Sequence, residues 1–343
     1  MKLTRDMGID MGTSNVVIFS EGKGIVLREP AVVAIDRKSK KILQVGAAAR
    51  NMLGRTPGNV AALHPIRNGV ISDYDLTQKM MAEFFRKVIR FSFVKPRVIV
   101  AVPSGITEVE ERAVIQVMME AGARRVYLVE SPLASGLGAQ LQMDKPNGFM
   151  VVDIGGGTTD IAVLSLNGVV ESSSIKASGE AFDDAIIRYL RKKYNLLIGK
   201  NTAEEIKMTI GGVYPRKDGF NMQVKGRGGK TSSFQETIVT EEDVMEAMLP
   251  VAKQIAEEVL NVLDRTDPQL IGDLAENGIT LTGGCSQIYG MDKLLHEITN
   301  LPVFVADDAD SCCAFGCGRA MDWMNKMNEG PANIAREKAI RES

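Results

Sequence analysis

Two short stretches of the chain end an apolar run on a carboxylate and then turn through small residues. In "MGIDMGTSNVVIFS", residues 7–20, Asp10 is followed by Gly12, Thr13, Ser14 and Asn15. In "FMVVDIGGGTTDIAVLS", residues 149–165, Asp153 is followed by Gly155, Gly156, Gly157, Thr158 and Thr159. A glycine-rich turn exposes successive backbone N–H groups and lets a bulky anion approach without interference from Cβ atoms. Threonine and serine hydroxyls add donors. A carboxylate beside such a turn repels phosphate unless a divalent cation stands between them. Mg2+ does so, held by carboxylates through its waters while it bridges phosphates. One such turn alone is only a tight hairpin. Two copies at matched places describe a clamp on a polyphosphate and its Mg2+, with Asp10 and Asp153 organising the metal.

A third glycine pair extends the site. "ITLTGGCSQI", residues 279–288, reads as a strand ending in Gly283 and Gly284 before a helix, suited to close approach of backbone to a base or ribose. Alone, it would be a strand-to-helix turn. Other chemistries lack residues. Only two histidines exist, His64 and His296, and neither stands near a nucleophile pair. Cys285, Cys312, Cys313 and Cys317 crowd the last sixth of the chain and form no spaced disulfide framework. With no histidine close by to complete a metal site, they read as small buried thiols beside glycines. "GRGGKT" at 226–231 imitates a nucleotide loop, but the position five before Gly229 is Val224 where that pattern needs glycine. An exposed hairpin is expected there.

The elements that must hold these residues alternate between strand and helix. "NVVIFS", "GIVLREPAVVAID", "RVIVAVPSG" and "RVYLVE" are β-branched runs bounded by turn residues. Residues 79–91 place Met80, Met81, Phe84, Phe85, Val88 and Ile89 on one helical face. A helix after Thr107 has a capping-box glutamate at Glu110 and closes on Gly122, and another starts at Ser131-Pro132. Further helices are expected at 180–194, 202–210 and 241–264, with a glycine-rich hairpin near 219–239. The class is α/β with small inserted elements. Asp10 and Asp153 stand 143 positions apart in 343 residues, so the chain reads as two similar halves facing each other across a cleft, where ligands prefer to bind.

The composition agrees. A chain of 343 residues, 45% hydrophobic and 24% charged, suits two globular domains. A net charge of −2 gives no reason to expect nucleic acid. "MKLTRDMGID" has no apolar signal core, and no window reaches the roughly 18 apolar residues of a membrane span, so a cytoplasmic protein is expected.

The order of the two turns and "LTGG" resembles the superfamily of actin, sugar kinases and heat-shock-chaperone ATPases. Within it, "REPAVVAID", "GRTPGNVAALHPIRNGVISDYD", "VESPLASGLGA", "VVDIGGGTTDIAVLSLNGVV" and "AEEIKMTIGG" resemble the MreB/Mbl family of bacterial actin homologues, from about residue 5 to about 322. The resemblance implies an actin-like fold, a duplicated pair of ribonuclease-H-like domains with inserted small subdomains and a nucleotide in the interdomain cleft. The halves are expected at 1–140, with an insertion about 30–75, and at 141–323, with an insertion about 181–240. A charged tail occupies 324–343. It further implies ATP and Mg2+ binding, slow hydrolysis coupled to filaments, and head-to-tail assembly in paired protofilaments. Those filaments would lie on the inner face of the cell membrane and direct cell-wall elongation proteins to maintain rod shape.

Carried over by position, Gly12, Thr13, Ser14 and Asn15 would face the phosphates from one side, and Gly155, Gly156, Gly157 and Thr158 from the other. Glu204, Glu205 and Lys207 match the adenosine-contacting segment, and Gly283, Gly284, Cys285 and Ser286 the segment beside base and ribose. Glu130 matches the glutamate that positions the hydrolytic water, with Thr158 helping to orient it. Read alone, Glu130 is a carboxylate at a helix start, beside the positive end of its dipole. Ser131 and Cys285 depart from the family pattern of glutamate and glycine, which leaves the hydrolysis rate open. "IRFSFVKPR", residues 89–97, sets Phe91, Phe93 and Val94 among basic residues. Alone it fits either a shallow membrane contact or a connection tucked into the core, and the resemblance implies the membrane.

Three other functions fit less well. A small-molecule kinase needs a base and sugar-binding groups beyond Glu130. A chaperone ATPase needs a peptide-binding domain, and only about twenty residues follow Trp323. A scaffold would bind nucleotide with little hydrolysis.

Overall fold

The computed structural model describes residues 6–89, 95–217, 219–229, 233–326 and 336–337. Phe91, Phe93 and Val94, the expected membrane contact, lie outside the described residues. Two large sheets organise the rest. The first runs in the order Arg336–Glu337, Arg125–Glu130, Arg97–Val102, Met7–Met11, Asn15–Ser20, Gly24–Pro30. The second runs Val303–Val305, Ile279–Thr282, Phe149–Ile154, Thr159–Ser165, Gly168–Ile175. Each contains an antiparallel meander of three consecutive strands, extended by two later strands parallel to the first. The internal repeat seen in the two aspartate turns is therefore a repeat of topology.

Local signals place most elements. Val98 through Val102 are buried, as a continuous apolar strand in a parallel pairing must be. Thr107 and Glu110 form a reciprocal capping box for the helix Glu108–Ala121, which stops at Gly122 with φ 126°. The helix Tyr74–Val88 buries Met80, Met81, Phe84 and Phe85 at helical spacing. "GIVLREPAVVAID" is split. Gly24–Pro30 stays in the large sheet, where Pro30 lacks the N–H to continue the ladder, and Val33–Asp36 joins a small sheet with Ile42–Val45 and Val60–Leu63. A second small sheet holds Leu196–Leu197, Asn221–Gly228 and Phe234–Thr240.

Between the large sheets lie two helices, Ser131–Gly138 and Cys312–Lys326. They share one buried cluster with Ile99, Ala101 and Val129 of the first sheet and Val151, Ala162 and Leu164 of the second. The helices approach to backbone contact. A Cβ on Gly316 would stand 1.6 Å from the Ala134 carbonyl oxygen, and one on Gly138 would stand 1.8 Å from that of Cys312. Arg319 donates to the Leu137 and Gly138 carbonyls at 2.6 and 2.7 Å, closing the C-terminal end of the shorter helix. Cys312, Cys313 and Cys317 are free and buried in this interface. The longer helix, though late in the chain, packs on Met7–Met11 and Arg97–Val102 of the first sheet. No described helix is long and apolar enough to cross a membrane.

Candidate functional site

The two turns meet. Gly12–Asn15 joins the first two strands of one sheet and Gly155–Thr158 the first two of the other. A Cβ on Gly156 would stand 2.0 Å from Ser14 Oγ, and a Cβ on Gly157 would stand 2.1 Å from Thr13 Oγ1. These glycines thus make room for the opposite turn, as well as for any anion. Thr13 is fixed from a third side, because its Oγ1 accepts from the Gly69 N–H at 2.9 Å. Gly69 ends an Asn-Gly hairpin turn with φ 50° at Asn68 and 75° at Gly69, the geometry that dipeptide favours. The second turn is braced by the helix Gly179–Tyr194, whose first N–H groups donate to Gly155 and Gly156 carbonyls at 3.0 and 2.8 Å.

Beside the turns opens a cavity of about 590 Å³, lined by residues of both halves. Asp10, Asp153 and Asp160 all face it. The sequence motifs do not single out Asp160, yet it stands opposite Asp153 in the hairpin register. Burial pushes the Asp153 carboxyl up to about 8, against a 2.7 Å hydrogen bond from Ser135 and with the help of Asp10 and Asp160. Burial also raises Asp10 to about 6, with Arg28 opposing the rise and Asp160 adding to it. Asp160 is raised for the same first reason. Carboxylates crowded in this way are costly as anions unless a cation joins them. Among the described residues, no three His, Cys, Asp or Glu side chains form a closed metal cage. Mg2+ does not need one, since one or two carboxylates, waters and phosphates suffice. The donor set fits that ion.

At the other end the cavity is lined by Glu204, Lys207, Met208, Arg216, Gly283, Gly284, Cys285 and Tyr289. Glu205, between Glu204 and Lys207 in the sequence, is exposed and is not among the residues lining the cavity. Ser286 is buried and its hydroxyl donates to the Gly283 carbonyl at 2.7 Å, which holds the glycine turn from behind. Lys207 lies 2.8 Å from Asp183 and donates to the Gly179 carbonyl at 3.0 Å. Burial works against the Lys207 ammonium, but Cys285, Asp183 and Glu204 raise its pKa overall. Among the described residues, ion pairs cross between the halves at Arg50 with Glu204, 2.5 Å, and at Arg28 with Asp310, 2.6 Å. Nothing in the local sequence around Arg28 or Arg50 names those partners.

Glu130 ends the strand Arg125–Glu130, and the next residue, Ser131, lines the cavity. The Glu130 carboxylate itself is half-buried, is not among the lining groups, and accepts from the Ser104 hydroxyl at 2.7 Å. Thr158 lines the cavity and donates to Asp160 at 2.9 Å.

Two sheets of one wiring, each offering a glycine turn to a shared cavity, define an actin-like protein. A family model described as MreB/Mbl protein matches residues 4–329. The chain belongs to the MreB/Mbl family. It is 43% identical over 324 residues to cell shape-determining protein Mbl of Bacillus cereus (strain ATCC 10987 / NRS 248), covering 94% of this chain and 97% of that one. It is 44% identical over 328 residues to cell shape-determining protein MreB of Escherichia coli (strain K12), covering 94% of each. The crystal structure of MreB 5 of Spiroplasma citri bound to AMPPNP matches with a TM-score of 0.91 at 34% identity, covering 95% of this chain and 98% of that one.

Proposed function

We propose that the chain is a cytoskeletal ATPase that determines cell shape, assembling into actin-like filaments and hydrolysing ATP slowly. One observation carries the reading: topologically equivalent turns interlock at a single cavity that also gathers Asp10, Asp153 and Asp160. The turns would hold the phosphates, and Asp10 and Asp153 would hold Mg2+. When bound, that ion offsets the negative charge of the phosphoryl oxygens. Glu204, Lys207 and the Gly283–Cys285 turn would hold the adenosine. Glu130 and Thr158 would orient the attacking water. The halves would divide near residue 140, with the final helix returning to the first.

Assembly is proposed as head-to-tail, a heterologous contact that propagates instead of closing. The inner face of the cell membrane and cell-wall elongation proteins are its proposed partners. Purified chain should sediment with anionic liposomes when ATP and Mg2+ are present and should release phosphate. Protein that stays in the supernatant under every nucleotide and lipid condition would refute the filament.

A second reading, a nucleotide-binding scaffold with little turnover, draws on the position of Glu130 outside the cavity lining. Glu130→Ala discriminates: it slows phosphate release in the first reading and leaves a basal rate untouched in the second.

A further inference from the structure

One hydrogen-bonded line runs from outside the cavity to the second turn. Ser104 follows the strand Arg97–Val102 in the first half and is 7% exposed. Its backbone N–H donates to Asp160 Oδ1 at 3.1 Å, and its hydroxyl donates to Glu130 Oε2 at 2.7 Å. Asp160 Oδ2 accepts from the Thr158 hydroxyl at 2.9 Å. Glu130, Ser104, Asp160 and Thr158 therefore form one chain that starts on the first sheet and ends on the second.

The direction of each bond matters. A threonine hydroxyl has one proton, and Thr158 gives it to Asp160, so lone pairs are what it offers the cavity. The Ser104 proton goes to Glu130 Oε2, which fixes the carboxylate that would accept from a water at the edge of the cavity. A hydrolytic water must direct its protons to acceptors so that its own lone pair points at phosphorus. Two acceptors fixed by one chain supply that orientation.

We propose that Ser104 is a positioning residue for hydrolysis. Its hydroxyl holds the Glu130 carboxylate, and its backbone N–H holds Asp160 and through it the Thr158 hydroxyl. The proposal rests on the reading of Glu130 and Thr158 given above.

The test uses the full chain with saturating ATP and Mg2+, measuring phosphate release, nucleotide affinity and sedimented fraction. Ser104→Ala should lower kcat about tenfold with KM changed less than about twofold. Ser104→Cys keeps the shape but has a poor donor, and should fall with it. Ser104→Thr keeps a hydroxyl and should restore turnover. Ser104→Ala combined with Glu130→Ala should be no slower than Glu130→Ala alone, because both remove one unit. If Glu130→Ala slows release while Ser104→Ala and Ser104→Cys leave it unchanged or faster, Ser104 has no positioning role and the reading of Glu130 stands. Losses that multiply in the double variant, or that follow nucleotide affinity and are not restored by threonine, mean a merely structural serine. Unchanged release in Glu130→Ala removes the reading of Glu130 and this proposal together. Should Ser104→Ala fail to fold, Ser104→Cys carries the comparison.

Discussion

Gly157 lies against Thr13 so closely that a Cβ on the glycine would stand 2.1 Å from the threonine hydroxyl oxygen. The contact joins the glycine turns of the two halves, and neither side can yield. Thr13 is β-branched, 3% exposed and already bonded to the Gly69 N–H. Gly157→Ala is therefore expected to destabilise the protein by about 1–3 kcal/mol and to weaken nucleotide binding. Gly156→Ala meets the Ser14 Oγ at 2.0 Å, which rotation can move away, and the Ser14 Cβ at 2.8 Å, which it cannot, and should cost less than Gly157→Ala. Thermal unfolding and nucleotide titration of the pair check the ranking. Equal behaviour of the two variants would contradict it.

Arg50 and Glu204 close the cavity from opposite halves but are 39% and 29% exposed at their side chains. A pair this wet contributes about 0–1 kcal/mol to stability. Its value lies in where it sits. Arg50→Ala should leave Tm within about 2 °C of the parent and raise the release rate of a fluorescent ATP analogue several-fold. Stopped-flow chase with unlabelled ATP measures that rate, and a slower release would refute the role.

Asp153 gives a pH signature. An unfolded aspartate titrates near about 3.9, whereas burial holds Asp153 at about 8 in the folded protein. Between those values the folded state binds the extra proton, so stability falls as pH rises. Nucleotide-free protein should melt at a higher temperature near about pH 6 than near about pH 8.5, and Asp153→Asn should flatten the difference. A parent Tm that climbs across this window would contradict the assignment.

Gly316 touches backbone where a side chain cannot be accommodated by rotation, 1.6 Å from the Ala134 carbonyl oxygen for an added Cβ. Gly316→Ala must push the helix Cys312–Lys326 away from Ser131–Gly138. A loss of about 1–3 kcal/mol is expected from overpacking, read by urea unfolding. Because Ser131 follows Glu130, phosphate release should fall as well. An alanine variant of parental stability would show that the helices can separate without cost.

Much of this architecture is legible in the sequence alone. Thr107 with Glu110, the Asn68–Gly69 turn and the paired aspartate turns carry their geometry in a few adjacent residues, and local chemistry decides them. Asp160 escapes a motif search for a reason the sheets make clear. It occupies the register position across from Asp153, and the equivalent partner of Asp10 in the first half is Val17. A search for matched residues passes over a carboxylate whose counterpart is a valine. The ion pairs of Arg28 and Arg50 are illegible because a surface cation's sequence neighbours do not specify its partner. Gly156 and Gly157 stand out in the sequence, but half their purpose lies in Ser14 and Thr13, and contacts between halves leave no periodic trace.

The glycine-packed helix pair has a mechanical consequence. Gly138 and Gly316 weld the two sheets at one side, with no room for a side chain to act as a spring. Arg28 meets Asp310 and Ser311 just before that weld begins, while Arg50 meets Glu204 out on the inserted elements. Any swing of one half against the other is then a lever. A swing about the helix pair would open or close the Arg50–Glu204 contact across the cavity, so that contact would report the angle between the halves.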